Sequence, residues 1–322
     1  MTEGSVAAPG YGGVAGPRPT PPEPVGPPPS RAGRKWGEAV LAASLLFPNL
    51  LLLILFTYRP LFDNIRLSFT DWNISSPDLS WVGFDNYVEW FGRDDTKLIA
   101  RNTVVFTVAT VGVSMALGLA LAMLLDQKLR GRNIVRSVVF APFVVSGAAI
   151  GVAFQFVFDP SFGLIRDLAS RVGAQVPDFY QQSGWALFMV TSTYIWKNLG
   201  YTFVIYLAAL QGRRADLDEA AEIDGASPWT RFTKVLLPQL RPTTFFLSIT
   251  VLLNSVQVFD IINVMTRGGP VGTATTTLVY QVYQESFVNS RAGYGATVAT
   301  IMFVVLLAIT LIQVRVMDRT QR

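Results

Sequence analysis

The stretch from Asp218 to Pro242, DEAAEIDGASPWTRFTKVLLPQLRP, is a charged, amphipathic interruption between two long apolar runs, and its reading decides the fold. Asp216 to Asp224 is rich in Ala and Glu, which favours a short helix, and Gly225 relaxes the backbone for a turn. Ser227 followed by Pro228 places an N-cap before a proline in the first helical position, so a second short helix is predicted to run to Val235. Its Phe232, Val235 and Leu236 share an apolar face while Arg231 and Lys234 stay wet. Pro238 and Pro242 are expected to bend the chain into the next apolar run. Two short helices meeting at a glycine make a compact knob that stands outside the lipid and offers itself to something there.

Around the knob the composition is that of a polytopic membrane protein. Hydrophobic residues make up 51% of the 322 and charged residues only 15%, more than a soluble core of this length needs. There is no cysteine and no histidine, which removes disulfides, thiolate metal sites, the commonest metal ligand and the usual general base. No metal site and no catalytic constellation is expected. The net charge of +4 comes from basic residues beside apolar runs, an arrangement that suits membrane-flanking loops and not a nucleic-acid surface. Residues 1–30 hold nine of the nineteen prolines and six glycines without apolar periodicity, so residues 1–35 read as a disordered tail. Residues 36–322 read as one transmembrane domain, with the knob at about 211–242.

Six segments are long enough to cross about 30 Å of hydrocarbon: Ala39 to Tyr58, Thr103 to Leu125, Val138 to Phe158, Trp185 to Leu210, Thr243 to Met265 and Tyr294 to Val314. An even count puts both termini on one side. Arg31, Arg34 and Lys35, then Lys128, Arg130, Arg132 and Arg136, then Arg213, Arg214, Arg231 and Lys234, and finally Arg315, Arg319 and Arg322 share that side, which is therefore the cytoplasm. The long loop Arg59 to Asn102 lies outside, where Trp72, Trp81, Phe84, Tyr87 and Trp90 suit a short amphipathic segment at the interface. Gly118 with Ala122, and Gly147 with Gly151, form small pairs that suit close helix packing.

Polar groups inside a span are costly, so they mark the candidate substrate path. In the fourth span Tyr194, Lys197 and Tyr201 lie at i, i+3 and i+7 on one helical face near the midplane, with Asn198 beside them. The fifth span reaches Asn254 at similar depth, followed by Gln257 and Asp260 in one broad stripe with Asn263 at its edge. Lys197 either pairs with Asp260 as a structural ion pair or waits for an anionic solute. Gln155 in the third span suits a helix-packing hydrogen bond better than a ligand.

The knob also resembles a known family, the permease subunits of binding-protein-dependent ABC importers. Its cytoplasmic loop pattern is matched by Glu219-Ala220-Ala221, Asp224-Gly225-Ala226 and Leu237-Pro238. Phe259-Asp260 and Thr266-Arg267-Gly268-Gly269-Pro270 resemble the carbohydrate importers, where Gly-Gly-Pro is a rigid turn at the mouth of the pathway. The run Ala274 to Tyr280 with Tyr283, and Trp196-Lys197 upstream, is similar to their glycerol-3-phosphate branch. The resemblance covers about residues 38 to 318; the proline-rich tail is not part of it. It implies an all-α, six-helix type I importer permease in a bacterial cell membrane, with both termini cytoplasmic. It further implies a second, homologous permease, two ATPase subunits docked at the knob, and an extracytoplasmic solute-binding protein. The solute would be sn-glycerol-3-phosphate or a glycerophosphodiester, otherwise a sugar. This chain carries no phosphate-binding loop, so it binds no cofactor, and ATP and Mg belong to the partner ATPase. An ion-coupled secondary transporter is the alternative that Lys197 and Asp260 allow, but it leaves the knob without a purpose.

Overall fold

The computed structural model describes residues 31–76, 78–127, 131–269 and 272–321, and helix dominates them. Of the tail expected over residues 1–35, residues 1–30 lie outside the described residues, as do Lys128, Arg130, Pro270 and Arg322. The chain divides into a unit ending at Tyr58 and a unit Arg59–Arg322. In the first, helix α1 (Arg31–Leu53) starts before the boundary expected at residue 36, carries Pro48, and ends in a π turn, Ile54–Tyr58. In the second, α2 (Arg59–Leu67), α3 (Asp85–Gly92) and α4 (Asp94–Leu125) are followed by α5 (Arg132–Val144), α6 (Gly147–Phe158) and α7 (Leu164–Arg171). The long α8 (Ser183–Gln211) leads to the knob helices α9 (Ala215–Ile223) and α10 (Pro228–Arg231). Then come α11 (Leu237–Val256), α12 (Asp260–Met265), α13 (Leu278–Tyr283) and α14 (Ala292–Gln321).

Among the described residues, four helices are long and apolar enough to cross a membrane: Val40–Leu67, Asp94–Leu125, Pro228–Met265 and Ala292–Met317. A bent pair, α5 with α6, makes a fifth if it is counted as one span. Helix α8, at 29 residues, has the length, but Lys197, Asn198 and its hydroxyl-bearing residues dilute its apolarity.

Two of the expected straight spans are broken. The run Val138 to Phe158 is interrupted at Val145 and Ser146, which are extended (ψ 143° and 135°), and α5 and α6 meet at 103°. Close approaches hold the bend in place. Gly200 of α8 lets the α5 backbone come in so far that a Cβ there would lie 2.8 Å from Phe140 Cα, and Gly147 at the start of α6 abuts the Asp260 carboxylate. The run Thr243 to Met265 breaks at Gln257, so Asp260 opens a new helix, its Oδ1 accepting from the Ile261 N–H at 2.9 Å. Asn254, Gln257 and Asp260 therefore do not form one continuous helical stripe. Breaks at membrane depth are tolerated where protein or a polar path, not lipid, surrounds them.

The core of the larger unit is the α4–α8 pair. Thr202 Oγ1 donates to Ser114 O at 2.8 Å across it, and a Cβ on Gly118 would meet Thr202 Cβ at 2.8 Å. Below the crossing, Ala122, Phe203, Tyr206, Leu240 and Leu247 form one buried cluster, and at the far end Phe106, Met189, Val258, Ile261 and Ile262 form another. The far end is tied by charge. Arg291 makes a bidentate pair with Glu89 (2.6 and 2.8 Å) and stacks 4.4 Å over the Tyr294 ring, while Arg93 reaches Asp95 at 2.6 Å and the buried Glu285 at 3.4 Å. The Arg291 guanidinium holds the Glu89 carboxyl below the usual carboxylate range. Of the outer-loop aromatics, Trp90 is buried and donates to Gln281 Oε1 at 3.2 Å, whereas Trp81 and Phe84 are exposed.

Candidate functional site

The knob closes on itself. Helix α9 ends in a Schellman arrangement: Gly225 has φ +77°, its N–H bonds Glu222 O at 3.0 Å, and the Ala226 N–H bonds Ala221 O at 2.9 Å. No atom lies within 4 Å of a Cβ placed at Gly225, so it is the backbone conformation and not space that asks for glycine. Ser227 caps α10 by accepting from the Thr230 N–H at 3.3 Å, with Pro228 behind it. Arg231 is not simply wet. Its guanidinium is bidentate to Asp218 (3.0 and 3.1 Å) and reaches Glu222 at 3.0 Å, clipping α10 to α9 and holding the Asp218 carboxyl below its ordinary range.

The second short helix does not stop at Val235. A π turn, Phe232–Leu236, carries it straight into α11, and the Leu237 N–H bonds Phe232 O. The wider turn accommodates Pro238, which has no N–H to give and whose ring crowds a normal turn. What the knob leaves exposed is Glu219, without a side-chain partner among the described residues, with the large apolar side chains of Ile223 and Trp229. Ala220, Asp224 and Gly225 are exposed beside them, Ala221 is half-buried, and Leu237 and Pro238 sit half-buried in α11.

The polar residues of α8 and α11 meet, although not all face a path. Tyr194 Oη donates to Asn254 O at 2.6 Å, and Tyr201 Oη to Thr250 Oγ1 at 3.4 Å, so the two helices run side by side through this level. Lys197 lies between those contacts, half-buried. It donates to Phe143 O at 3.1 Å and stands 5.3 Å from that ring's centre. It forms no ion pair with Asp260. Asn198 is buried and donates to Tyr194 O of its own helix at 3.0 Å. The Asn254 and Gln257 side chains are exposed and make no hydrogen bond among the described residues. Gln155 donates to Val264 O at 2.8 Å, joining α6 to α12.

Sequence reasoning missed Phe143, which lies under Lys197 and stacks on Tyr201 at 4.9 Å, because the break that delivers it was hidden in an apolar run. Pro142 beside it was the available signal. It also missed the Arg231–Asp218 clip, whose signal was opposite charge on the two knob helices.

Crossing-length helices interrupted part-way along, a half-buried lysine near amides that have no partner among the described residues, and a preformed knob at one end fit a membrane subunit of a transport system. The model of the family described as binding-protein-dependent transport system inner membrane component matches residues 110–322. A probable ABC transporter permease protein of Pyrococcus horikoshii is 34% identical over 272 residues, 83% of this chain and 91% of that one. The sn-glycerol-3-phosphate transport system permease protein UgpA of Yersinia pseudotuberculosis is 32% identical over 295 residues, 91% of this chain and 99% of that one. The crystal structure of a bacterial ABC transporter involved in the import of the acidic polysaccharide alginate matches with a TM-score of 0.77 at 23% identity, covering 91% of this chain and 100% of that one, a likeness of fold. The chain belongs to the binding-protein-dependent ABC transporter permeases. It is a multi-pass inner-membrane component and not an enzyme; a partner subunit hydrolyses the ATP.

Proposed function

We propose that this permease spans the membrane six times, with α8 and the bent α5–α6 pair counted as spans, and pairs with a second, homologous permease. Both termini are cytoplasmic, and a solute-binding protein delivers to the opposite face. Two ATPase subunits dock on the knobs of the two permeases, Glu219 to Ala221, Asp224 and Gly225 forming the contact and Leu237-Pro238 the stiff link into α11. The observation that carries this is the knob's construction. A Schellman-closed turn and an arginine clip hold a small rigid body together while Glu219, Ile223 and Trp229 remain uncovered.

The solute is of carbohydrate type, with sn-glycerol-3-phosphate or a glycerophosphodiester first and neutral sugars second. Support comes from similarity to the sn-glycerol-3-phosphate permease and from Lys197, a cation at span depth with no carboxylate paired to it. Tyr194 and Tyr201 brace that level, and the Asn254 and Gln257 amides stay open toward the second permease. Asp260 stands against Gly147 and accepts from the Ile261 N–H in the first turn of α12, a positioning role. Family membership leaves ion-coupled secondary transport without support. The test is ATPase stimulation of the complete complex in proteoliposomes, with its binding protein, by sn-glycerol-3-phosphate, glycerophosphocholine and maltose. Stimulation by the phosphate compounds supports the reading; stimulation by maltose alone moves it to neutral sugars.

A further inference from the structure

Beyond the level of Lys197 the molecule holds a second polar feature. Helices α6 and α12 run parallel away from the knob: Gly147 faces Asp260, Gly151 faces Val264 with side-chain atoms 3.1 Å from a Cβ position, and Gln155 bonds Val264 O. Gln155 is thus about 12 Å farther along the axis than Gly147. There a cleft of about 700 Å³ opens, lined by Gln155, Asn263, Arg267, Tyr280, Tyr283 and Gln284, with no carboxylate in its wall.

Arg267 is the unusual member. Its backbone is left-handed, φ +52°, a conformation that costs a non-glycine residue about 1 kcal/mol or more. It is held so by its own N–H to Ile262 O at 2.8 Å, and the next residue, Gly268 at φ +80°, is pressed so close to Tyr280 that a Cβ would lie 2.5 Å from the ring. The turn is therefore fixed against the tyrosines. Yet the guanidinium is exposed and has neither hydrogen bond nor ion pair among the described residues. At the same end Arg93 and Arg291 are tied to carboxylates, whereas Arg66 stands over the Trp81 ring and, like Arg101, has no carboxylate partner among the described residues; Arg267 differs from Arg66 and Arg101 in lining the cleft. Around Arg267 stand three amides and two tyrosines, the rings of Tyr280 and Tyr283 being 5.8 Å apart with Phe259 packed against both.

We propose that this cleft is a staging site for the anionic group of the incoming solute, with Arg267 as the residue that selects it. A guanidinium takes a phosphate or carboxylate through paired N–H donors, the amides of Gln155, Asn263 and Gln284 take hydroxyls, and the tyrosine faces take the carbon skeleton. The solute meets this cation first and Lys197 second, deeper in. The inference rests on the import of an anionic carbohydrate-type solute proposed above.

The test measures sn-glycerol-3-phosphate and maltose uptake by the complete complex in proteoliposomes with its binding protein. Arg267→Gln should raise the half-saturating concentration of sn-glycerol-3-phosphate about tenfold, and Arg267→Lys, which keeps the charge without the fork, about threefold. The control Arg171→Gln removes an exposed arginine on α7 that pairs with Asp167, and should leave that concentration unchanged. Solute-free binding protein should dock on Arg267→Gln as on the unaltered complex. An unchanged half-saturation in Arg267→Gln overturns the inference alone. So does an equal loss for maltose, or weakened docking of the solute-free binding protein, which would make Arg267 a docking residue. An unaltered complex that moves only maltose, or neither probe, overturns the anionic reading itself and this inference with it.

Discussion

Lys197 carries its charge against a backbone carbonyl and an aromatic ring, with the Asp260 carboxylate acting on it from beyond ion-pair reach, and a cation so placed still gains when an anion arrives in contact. Lys197→Met should lower sn-glycerol-3-phosphate uptake about tenfold while protein abundance holds, because no direct ion pair is broken and Asp260 keeps its bond from the Ile261 N–H. Asp260→Asn keeps an oxygen for the Ile261 N–H and should be tolerated better. The double variant should behave like Lys197→Met; recovery of uptake and abundance in it would restore the structural ion pair. Glu89 offers a titration. Its folded pKa lies below the unfolded value, so its contribution to stability is complete at neutral pH and is lost as pH falls through the folded pKa. With side chains 38% and 39% exposed, the Glu89–Arg291 pair contributes at most about 1 kcal/mol. Glu89→Gln should therefore lower the thermal midpoint in detergent at pH 7, and the gap from the unaltered protein should narrow under acid conditions.

Among the elements, glycines separate packing from freedom. Gly118 of α4 sits against Thr202, whereas Gly112 of the same helix has no atom within 4 Å of a Cβ position. Gly118→Val should destabilise by about 1–3 kcal/mol through overpacking, and Gly112→Val should change stability by no more than about 0.5 kcal/mol. Thermal unfolding of the two purified variants checks the contrast. The Gly118–Ala122 pair was legible in the sequence because small residues four apart mark a helix crossing. The Gly225 turn and the Ser227-Pro228 cap were legible for the same local reason, each being fixed by residues adjacent in the chain. The breaks at Ser146 and Gln257 were not, since apolar periodicity continues through them and the contacts that hold them, Gly200 on Phe140 and Gly147 on Asp260, join residues far apart in sequence. The same limit hid Phe143 beneath Lys197; Asn198 is different, its bond to Tyr194 O being local, but the sequence does not say whether a helical amide turns back to its own backbone.

On the scale of the whole molecule, the knob marks one end and the Glu89, Arg93, Glu285 and Arg291 network the other. With no native cysteine, single-cysteine labelling reads the orientation cleanly. Asp216→Cys should be reached only from the cytoplasm, and Asp94→Cys and Asp178→Cys only from outside; the same accessibility for Asp216→Cys and Asp94→Cys would break the six-span arrangement. Membership of the family was legible from the knob alone, because its residues are contiguous. The proposed path draws on α5, α8 and α11, and their meeting needed the fold to be seen. The proposed coupling of transport to ATP hydrolysis runs through the knob, and uptake by a Gly225→Trp complex tests it most directly. The left-handed turn is strained by any side chain, a Cβ there meets no atom within 4 Å, and the new ring would stand on the proposed docking face. In proteoliposomes, ATP-driven uptake of sn-glycerol-3-phosphate should collapse at normal protein abundance, with ATP hydrolysis no longer responding to solute and binding protein. Normal uptake at normal abundance would contradict it.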